Sequence, residues 1–371
     1  MRSSSRKLLI AVILLCVLGF LFYRTSGFIH AAGFSWAKVL QAVREADPYL
    51  LIQCIVAIYV CYAIRSLRWK LFQRNLGPSR FWPVYAMTLA GFSAIFLLGR
   101  AGEPVRPLLL ARKEKLPIAD MFGIYVLERL FDFASMAVVA AIGLLLFEAR
   151  SDSGGKTTAL EIATKTGGAF LSAGVLAAIG ALVYLRLHGT SLLERRLQGW
   201  LAGQGWRARV ARIVLGFVRG IQTIRTWSEL ALAVAYSAVH WFLVLLVYFW
   251  VAQSFRAALG PMSLSDAMLV LAITLAGSAV QLPGVGGGSQ AGSIIAYTAI
   301  FGVEREPAVA VAIVLWLITF AIGSLAGVPL LIREGWSLGE LRRIAAREKE
   351  AVIEQVAGGA NAASGRGDTT E

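Results

Sequence analysis

Three stretches of this chain place charged or helix-breaking residues inside otherwise apolar surroundings, and those residue types suggest anion handling. The first is Gly99-Arg100-Ala101-Gly102-Glu103-Pro104-Val105-Arg106-Pro107. Its glycines and prolines free backbone N–H and C=O groups, while arginine can grip a phosphate in a planar, bidentate way. The second is Glu128-Arg129-Leu130-Phe131-Asp132. On a helix Glu128 and Asp132 are i, i+4 and Arg129 is i, i+3 to Asp132, so all three can face one interior wall. The third is Leu282-Pro283-Gly284-Val285-Gly286-Gly287-Gly288-Ser289-Gln290. It looks like a phosphate loop but lacks the Gly-Lys-Ser/Thr ending and a preceding strand, so nucleotide binding is not expected. A helix-breaking tip that offers N–H donors at a half-helix N-terminus fits better.

Each stretch also has a plainer reading. The first could be a basic loop between two full spans, the second an ion pair tying helices together, and the third a close backbone contact with no ligand.

The elements that position these residues follow from composition. Of 371 residues, 57% are hydrophobic and 16% charged, and the mean hydropathy is +0.68. A soluble domain does not carry that excess of apolar side chains. Apolar runs of about 17–25 residues recur along the chain, each able to cross a hydrocarbon core about 30 Å thick as a helix. A membrane barrel needs ~10-residue alternating segments instead and is excluded. The net charge of +14 lies between apolar spans, which is the pattern of cytoplasmic loops and not of a nucleic-acid-binding surface.

Cys16, Cys54 and Cys61 lie inside apolar runs and read as packing residues. His30, His188 and His240 are scattered, and no hydrolase or metal motif occurs. The chain is therefore expected to be non-enzymatic, with no metal and no cofactor.

Spans are expected near 8–24, 48–64, 121–147, 166–187, 229–252 and 307–332. The basic N-terminus (Arg2, Arg6, Lys7) precedes a run too long for a usual signal peptide, so an uncleaved first span is expected. Two further apolar regions, 83–98 and 267–302, are short or interrupted. The 65–80 region holds Arg65, Arg68, Lys70, Arg74 and Arg80 with no acid, and Arg112, Lys113 and Lys115 follow 83–98. A single crossing at 83–98 would put one basic cluster outside, whereas a hairpin keeps both inside.

The basic 186–225 and 333–349 segments read as inside, and the 148–165 and 253–266 loops as outside. The second hairpin then enters from the outer face, with both termini cytoplasmic. The fold class is thus all-α and polytopic: about six spans plus two re-entrant hairpins, or about eight plain spans. Thr88-Leu89-Ala90-Gly91 and Thr274-Leu275-Ala276-Gly277 precede the two tips, which together with opposed entry suggests an inverted repeat. Residues 207–226 have the spacing of an interfacial helix. Residues 1–332 form the membrane domain and 333–371 a cytoplasmic tail whose end, from about 357, reads as disordered.

Taken together, Arg100, Arg106 and Arg129 balance Glu103, Glu128 and Asp132. Such a set can be neutral when empty and exchange an internal carboxylate for an incoming phosphate.

In order and spacing these residues, with Arg65-Ser66-Leu67-Arg68-Trp69, resemble the membrane region of lysylphosphatidylglycerol synthases, often called flippase-like proteins. The resemblance spans most of residues 8–332. It implies a lipid-handling module in a bacterial inner membrane, and adds Arg68 to the expected substrate contacts beside Arg100, Glu103, Arg106, Glu128, Arg129, Asp132, Pro283, Gly284, Gly286, Gly287 and Gly288. Members often carry a glutamate soon after the glycine tip, where this chain has Ser289 and Gln290. Only 39 residues follow position 332, so the synthases' soluble aminoacyl-transferase domain is not expected.

The expected function is transport of an anionic phospholipid or lipid-linked intermediate, with that lipid as partner and no nucleic acid; self-association stays open. The competing expectations are a scaffold or accessory subunit for envelope-lipid or glycolipid synthesis and, more remotely, an enzyme acting on polyprenyl phosphates.

Overall fold

The computed structural model describes residues 34–150, 180, 223–224, 226–278, 281–282 and 286–334. The expected spans at 8–24 and 166–187, nearly all of the 207–226 segment, Cys16 and the tail from 335 lie outside the described residues. So do Pro283 and Gly284.

Within the described residues the chain is helical, apart from a two-residue antiparallel pairing of Gln281–Leu282 (β1) with Gly286–Gly287 (β2). The long helices are α2 (Pro48–Gln73), α3 (Phe81–Leu98, closed by a 3-10 turn at Gly99–Gly102), α5 (Ile118–Arg150), α6 (Trp227–Ser254) and α9 (Arg305–Arg333). The shorter ones are α1 (Trp36–Glu45), α4 (Val105–Glu114), α7 (Leu264–Gly277) and α8 (Gly288–Ile295). Five helices are long and apolar enough to cross a membrane.

Local sequence sets the starts. Asp47 caps α2, its carboxylate accepting from Tyr49 N–H at 2.9 Å, with Pro48 in the first turn. Reciprocal capping boxes open α6 (Thr226 with Glu229) and α7 (Ser263 with Asp266). Large apolar side chains face outward in helical stripes, such as Ile52, Val56 and Val60 on α2. Apolar surface of that extent is stable only against lipid.

Both interrupted regions are helical hairpins. In the first, Gly91 lies against the Arg106 side chain and Gly102 against the Ala94 carbonyl, so α4 folds back along α3. Gly99, at φ +66°, makes the reversal. At the open end a methyl added to Gly77 would lie 3.1 Å from Leu116 Cδ2, which places the 74–80 and 115–117 segments together. In the second hairpin Gly277 lies against the Gly288 carbonyl and Gly292 against Thr274, while Thr274 Oγ1 and Ser293 Oγ are 2.8 Å apart. The tips meet: Arg100 Nη2 donates to the Ser278 carbonyl at 3.1 Å.

The two hairpins belong to two opposed halves. Helix α2 precedes the first and α6 the second, and these two run antiparallel in contact over their length. Asp47 N–H donates to the Ser254 carbonyl at 3.0 Å, Cys54 Sγ meets the Val247 carbonyl at 3.6 Å, and Cys61 Sγ the His240 carbonyl at 3.9 Å. The hairpin legs are exchanged reciprocally. The first leg of one, α3, packs on α9, with Gly327 against the Leu89 carbonyl. The first leg of the other, α7, packs on α5, with Gly143 against Met268. Such an arrangement is an inverted repeat, as the two Thr-Leu-Ala-Gly segments suggested.

One expectation changes. The 65–80 region is not a loop throughout: α2 continues to Gln73, and Arg65 and Arg68 are buried within it. The apolar run ends near residue 64, but Trp69 and Phe72 carry its buried face onward. A short amphipathic helix, α1, buries Val39 and Ala42 and packs on α9.

The hairpin predicts sidedness. In a cysteine-free background, probes at positions 74 and 115 should label from the same face, expected to be cytoplasmic; labelling from opposite faces would exclude the fold-back.

Candidate functional site

The buried side chains divide into two apolar clusters. One includes the N-terminal part of α2 as far as Tyr62, most of α6, and α7 and α9. The other begins at Trp69 and Phe72 and takes in Met121, Ile124, Leu127 and Phe131 of α5 together with most of the first hairpin. Between them lies a layer of charge. Its members come from α2 (Arg65, Arg68), α3 (Thr88), α4 (Arg106), α5 (Glu128, Arg129, Asp132) and α6 (Ser237, His240).

Glu128 is the hub. Its Oε1 accepts from Arg65 Nε at 2.8 Å and Arg68 Nη2 at 3.2 Å, and its Oε2 accepts from Arg106 Nη1 at 2.7 Å. Asp132, one turn on, accepts from Arg68 Nη2 at 2.6 Å and from Arg65 Nη2. Arg68 Nη1 also donates to Ser237 Oγ at 2.8 Å, and Arg106 Nη2 to Thr88 Oγ1 at 3.2 Å. Arg65 Nη1 lies 3.4 Å from His240 Nε2. A guanidinium has no lone pair to give, so Nε2 is the acceptor.

Aromatic faces line the layer. The Arg106 guanidinium carbon is 4.4 Å from the Trp69 ring centroid, and that of Arg65 is 5.2 Å from Phe92. Cation–π contact of this kind is strongest where water is excluded. Arg68 and Glu128 side chains are 1% exposed and Arg106 2%, so water does not compete here.

Arg129 occupies the edge, 32% exposed, 3.3 Å from Asp132 Oδ2 and 3.9 Å from Glu128 Oε2. Its guanidinium lies 5.2 Å from the Tyr125 ring centroid, and Tyr125 donates to Glu103.

This geometry redraws the balanced set. Arg106, Arg129, Glu128 and Asp132 come together as expected. Arg100 sits apart, at the hairpin contact, and Glu103 makes no ion pair among the described residues. Arg65 and Arg68 take their place, so four guanidiniums face two carboxylates. The Nε atoms of Arg68, Arg106 and Arg129, and His240 Nδ1, have no hydrogen-bond partner among the described residues. The second hairpin brings no charge to the layer. Gly286, Gly287 and Gly288 stand at its tip, and the Gly287 N–H, expected to be open to a ligand, is accepted by Gln290 Oε1 at 2.6 Å.

Arg65 was legible as a site residue only by counting forward from Tyr62: Arg65, Arg68, Trp69 and Phe72 keep one face of a continuing helix. Nothing in the local sequence singles out Thr88, Ser237 or His240, because their partners lie far away in the chain.

Opposed helical halves around a buried, ion-paired layer define a polytopic membrane protein of the inverted-repeat class. The chain belongs to the lysylphosphatidylglycerol synthase TM region family, which it matches over residues 7–327. It is also similar to a UPF0104 membrane protein of Methanothermobacter thermautotrophicus, 22% identical over 82% of this chain and 90% of the relative. A second UPF0104 membrane protein of that organism is 28% identical over 39% of this chain and 40% of the relative. The glycosyltransferase AglD of Haloferax volcanii is 22% identical over 51% of this chain but only 33% of its own length.

The roles of the carboxylates separate on substitution. Glu128→Gln leaves buried guanidiniums without their shared anion and should cost about 3–5 kcal/mol. Glu103→Gln keeps an acceptor for Tyr125 and should cost under about 1 kcal/mol. Thermal melting of both variants in one detergent checks this.

Proposed function

We propose that this protein is a carrier for an anionic lipid or lipid-linked intermediate, moving its headgroup across the bacterial inner membrane past the charge layer, and that it is not itself an enzyme. The observation that carries the reading is the excess of arginine over carboxylate where five apolar helices converge. Charged side chains at membrane depth each cost several kcal/mol, and such residues ordinarily mark a substrate or ion path. Four arginines around two carboxylates are more than a tie between helices needs; they leave capacity for one more anion. Arg129, at the partly exposed edge, is the residue an incoming headgroup meets first. Opposed halves whose hairpins meet tip to tip have the plan on which alternating access to a fixed site is built in secondary transporters.

A second reading has one supporting observation, the similarity of about half the chain to part of a glycosyltransferase. On that reading the protein is an accessory membrane subunit for glycolipid synthesis. It would then tolerate neutral replacement of Arg129, which a carrier would not.

The test is fluorescent-lipid translocation in proteoliposomes, with melting recorded on the same preparations. Arg129→Lys and Arg106→Lys keep charge but lose the planar two-point grip, and each is expected to slow translocation at least about tenfold while the protein stays folded. Wild-type rates in both variants, or losses that track unfolding throughout, would make the layer purely structural.

A further inference from the structure

We infer that the charge layer is built for the doubly charged terminal phosphate of a lipid phosphomonoester, and not for the singly charged phosphodiester of ordinary phospholipids. The inference rests on the anion-carrier reading and names the headgroup class for it. It starts from charge. Arg65, Arg68, Arg106 and Arg129 contribute four positive charges and Glu128 and Asp132 two negative ones, and both carboxylates are ionised because every oxygen they present accepts from or lies beside a guanidinium. His240 is neutral when it accepts from Arg65. Among the described residues the layer is left with an excess of two positive charges, and only Arg129 of the four guanidiniums is within reach of solvent. A phosphodiester carries one negative charge and would halve the excess; a terminal phosphate carries close to two at neutral pH and cancels it.

Donor count points the same way. Among the described residues the Nε atoms of Arg68, Arg106 and Arg129, three in all, have no partner, and Arg68 and Arg106 are almost wholly buried. A buried N–H without an acceptor is costly, so its presence in three guanidiniums of one cluster calls for an acceptor group. A terminal phosphate offers three free oxygens, a phosphodiester two. Arg106 and Arg129 already converge on a single atom, Glu128 Oε2, at 2.7 and 3.9 Å. A phosphate bridging these two guanidiniums would stand beside the partly exposed edge that Arg129 occupies.

The experiment uses the full chain in phosphatidylcholine nanodiscs, with three competitors of identical acyl chains: phosphatidic acid as the terminal-phosphate lipid, phosphatidylglycerol as the diester, and phosphatidylcholine as the zwitterion. Soluble glycerol phosphate is the fourth. Near pH 7.5 phosphatidic acid should be preferred over phosphatidylglycerol by about tenfold or more, the worth of one extra charge pair in a poorly solvated site. The second phosphate ionisation lies near pH 6, so at about pH 5 the bound phosphate loses a charge and the preference should fall several-fold. Protonation of His240 adds positive charge for both lipids alike, and Arg65, Arg68, Arg106, Arg129, Glu128 and Asp132 face both alike, so the ratio isolates the ligand's own charge. Arg129→Gln removes one excess charge at the partly exposed position and should bring the preference towards unity, with melting recorded as the folding control.

Equal binding of the two anions near pH 7.5, or a preference unmoved by both pH and Arg129→Gln, would overturn the dianion inference and leave the anion-carrier reading standing. If neither anion outcompetes phosphatidylcholine, both fall. Glycerol phosphate competing as well as phosphatidic acid would uphold the dianion and remove the lipid.

Discussion

The constraint on which the fold depends is that Glu128 and Asp132 stand on a membrane helix, about 15–20 Å from its start, where water cannot solvate them. Two carboxylates in that position need donors from other elements, and each neighbouring element is shaped by supplying them. Helix α2 continues past its apolar run to deliver Arg65 and Arg68. The first hairpin folds back so that Arg106 reaches Glu128. Helix α6 runs antiparallel to α2, which brings Ser237 and His240 to the far side. A buried network of this kind is a poor source of stability, since apolar side chains of similar volume would hold the helices at least as well. Its cost is consistent with a layer kept for what it binds.

The two halves share a backbone plan but not a chemistry. Thr88 and Thr274 occupy matching places in the two Thr-Leu-Ala-Gly segments, each on the first leg of its hairpin. Across from Thr88 stands Arg106; across from Thr274 stands Ser293. The first hairpin therefore carries charge into the layer, and the second closes on itself with a neutral hydroxyl contact. A symmetric scaffold thus holds an asymmetric site, placed towards the end of the molecule where Gly77 and Leu116 meet.

Small residues make this geometry reachable. In lipid there is no hydrophobic drive between helices, so association relies on close packing and on interhelical hydrogen bonds. Gly91 lets the Arg106 side chain cross α3, Gly102 and Gly277 let hairpin legs touch backbone to backbone, and Gly327 admits the Leu89 carbonyl. A side chain at Gly91 or Gly102 would push Arg106 away from the carboxylate it now meets at hydrogen-bond distance.

The sequence by itself determined the membrane class and most of the long helices among the described residues, favoured the two hairpins over plain spans, suggested the inverted repeat, and named Arg106, Glu128, Arg129 and Asp132 as members of one site. These are local or compositional matters: an apolar run of a given length, a glycine–proline break, a spacing of four on a helix. Loop charge favoured the first hairpin because it counts residues and needs no partners. Tertiary structure decided the rest. It moved Arg65 and Arg68 from a supposed loop into the core and set Arg100 and Glu103 aside. It also turned a balanced set of charges into one with two positive charges in excess. The reason is physical: whether a charged residue near the end of an apolar run is solvated or buried depends on the acids and rings that other helices bring against it, and those helices are up to 175 residues away in the chain.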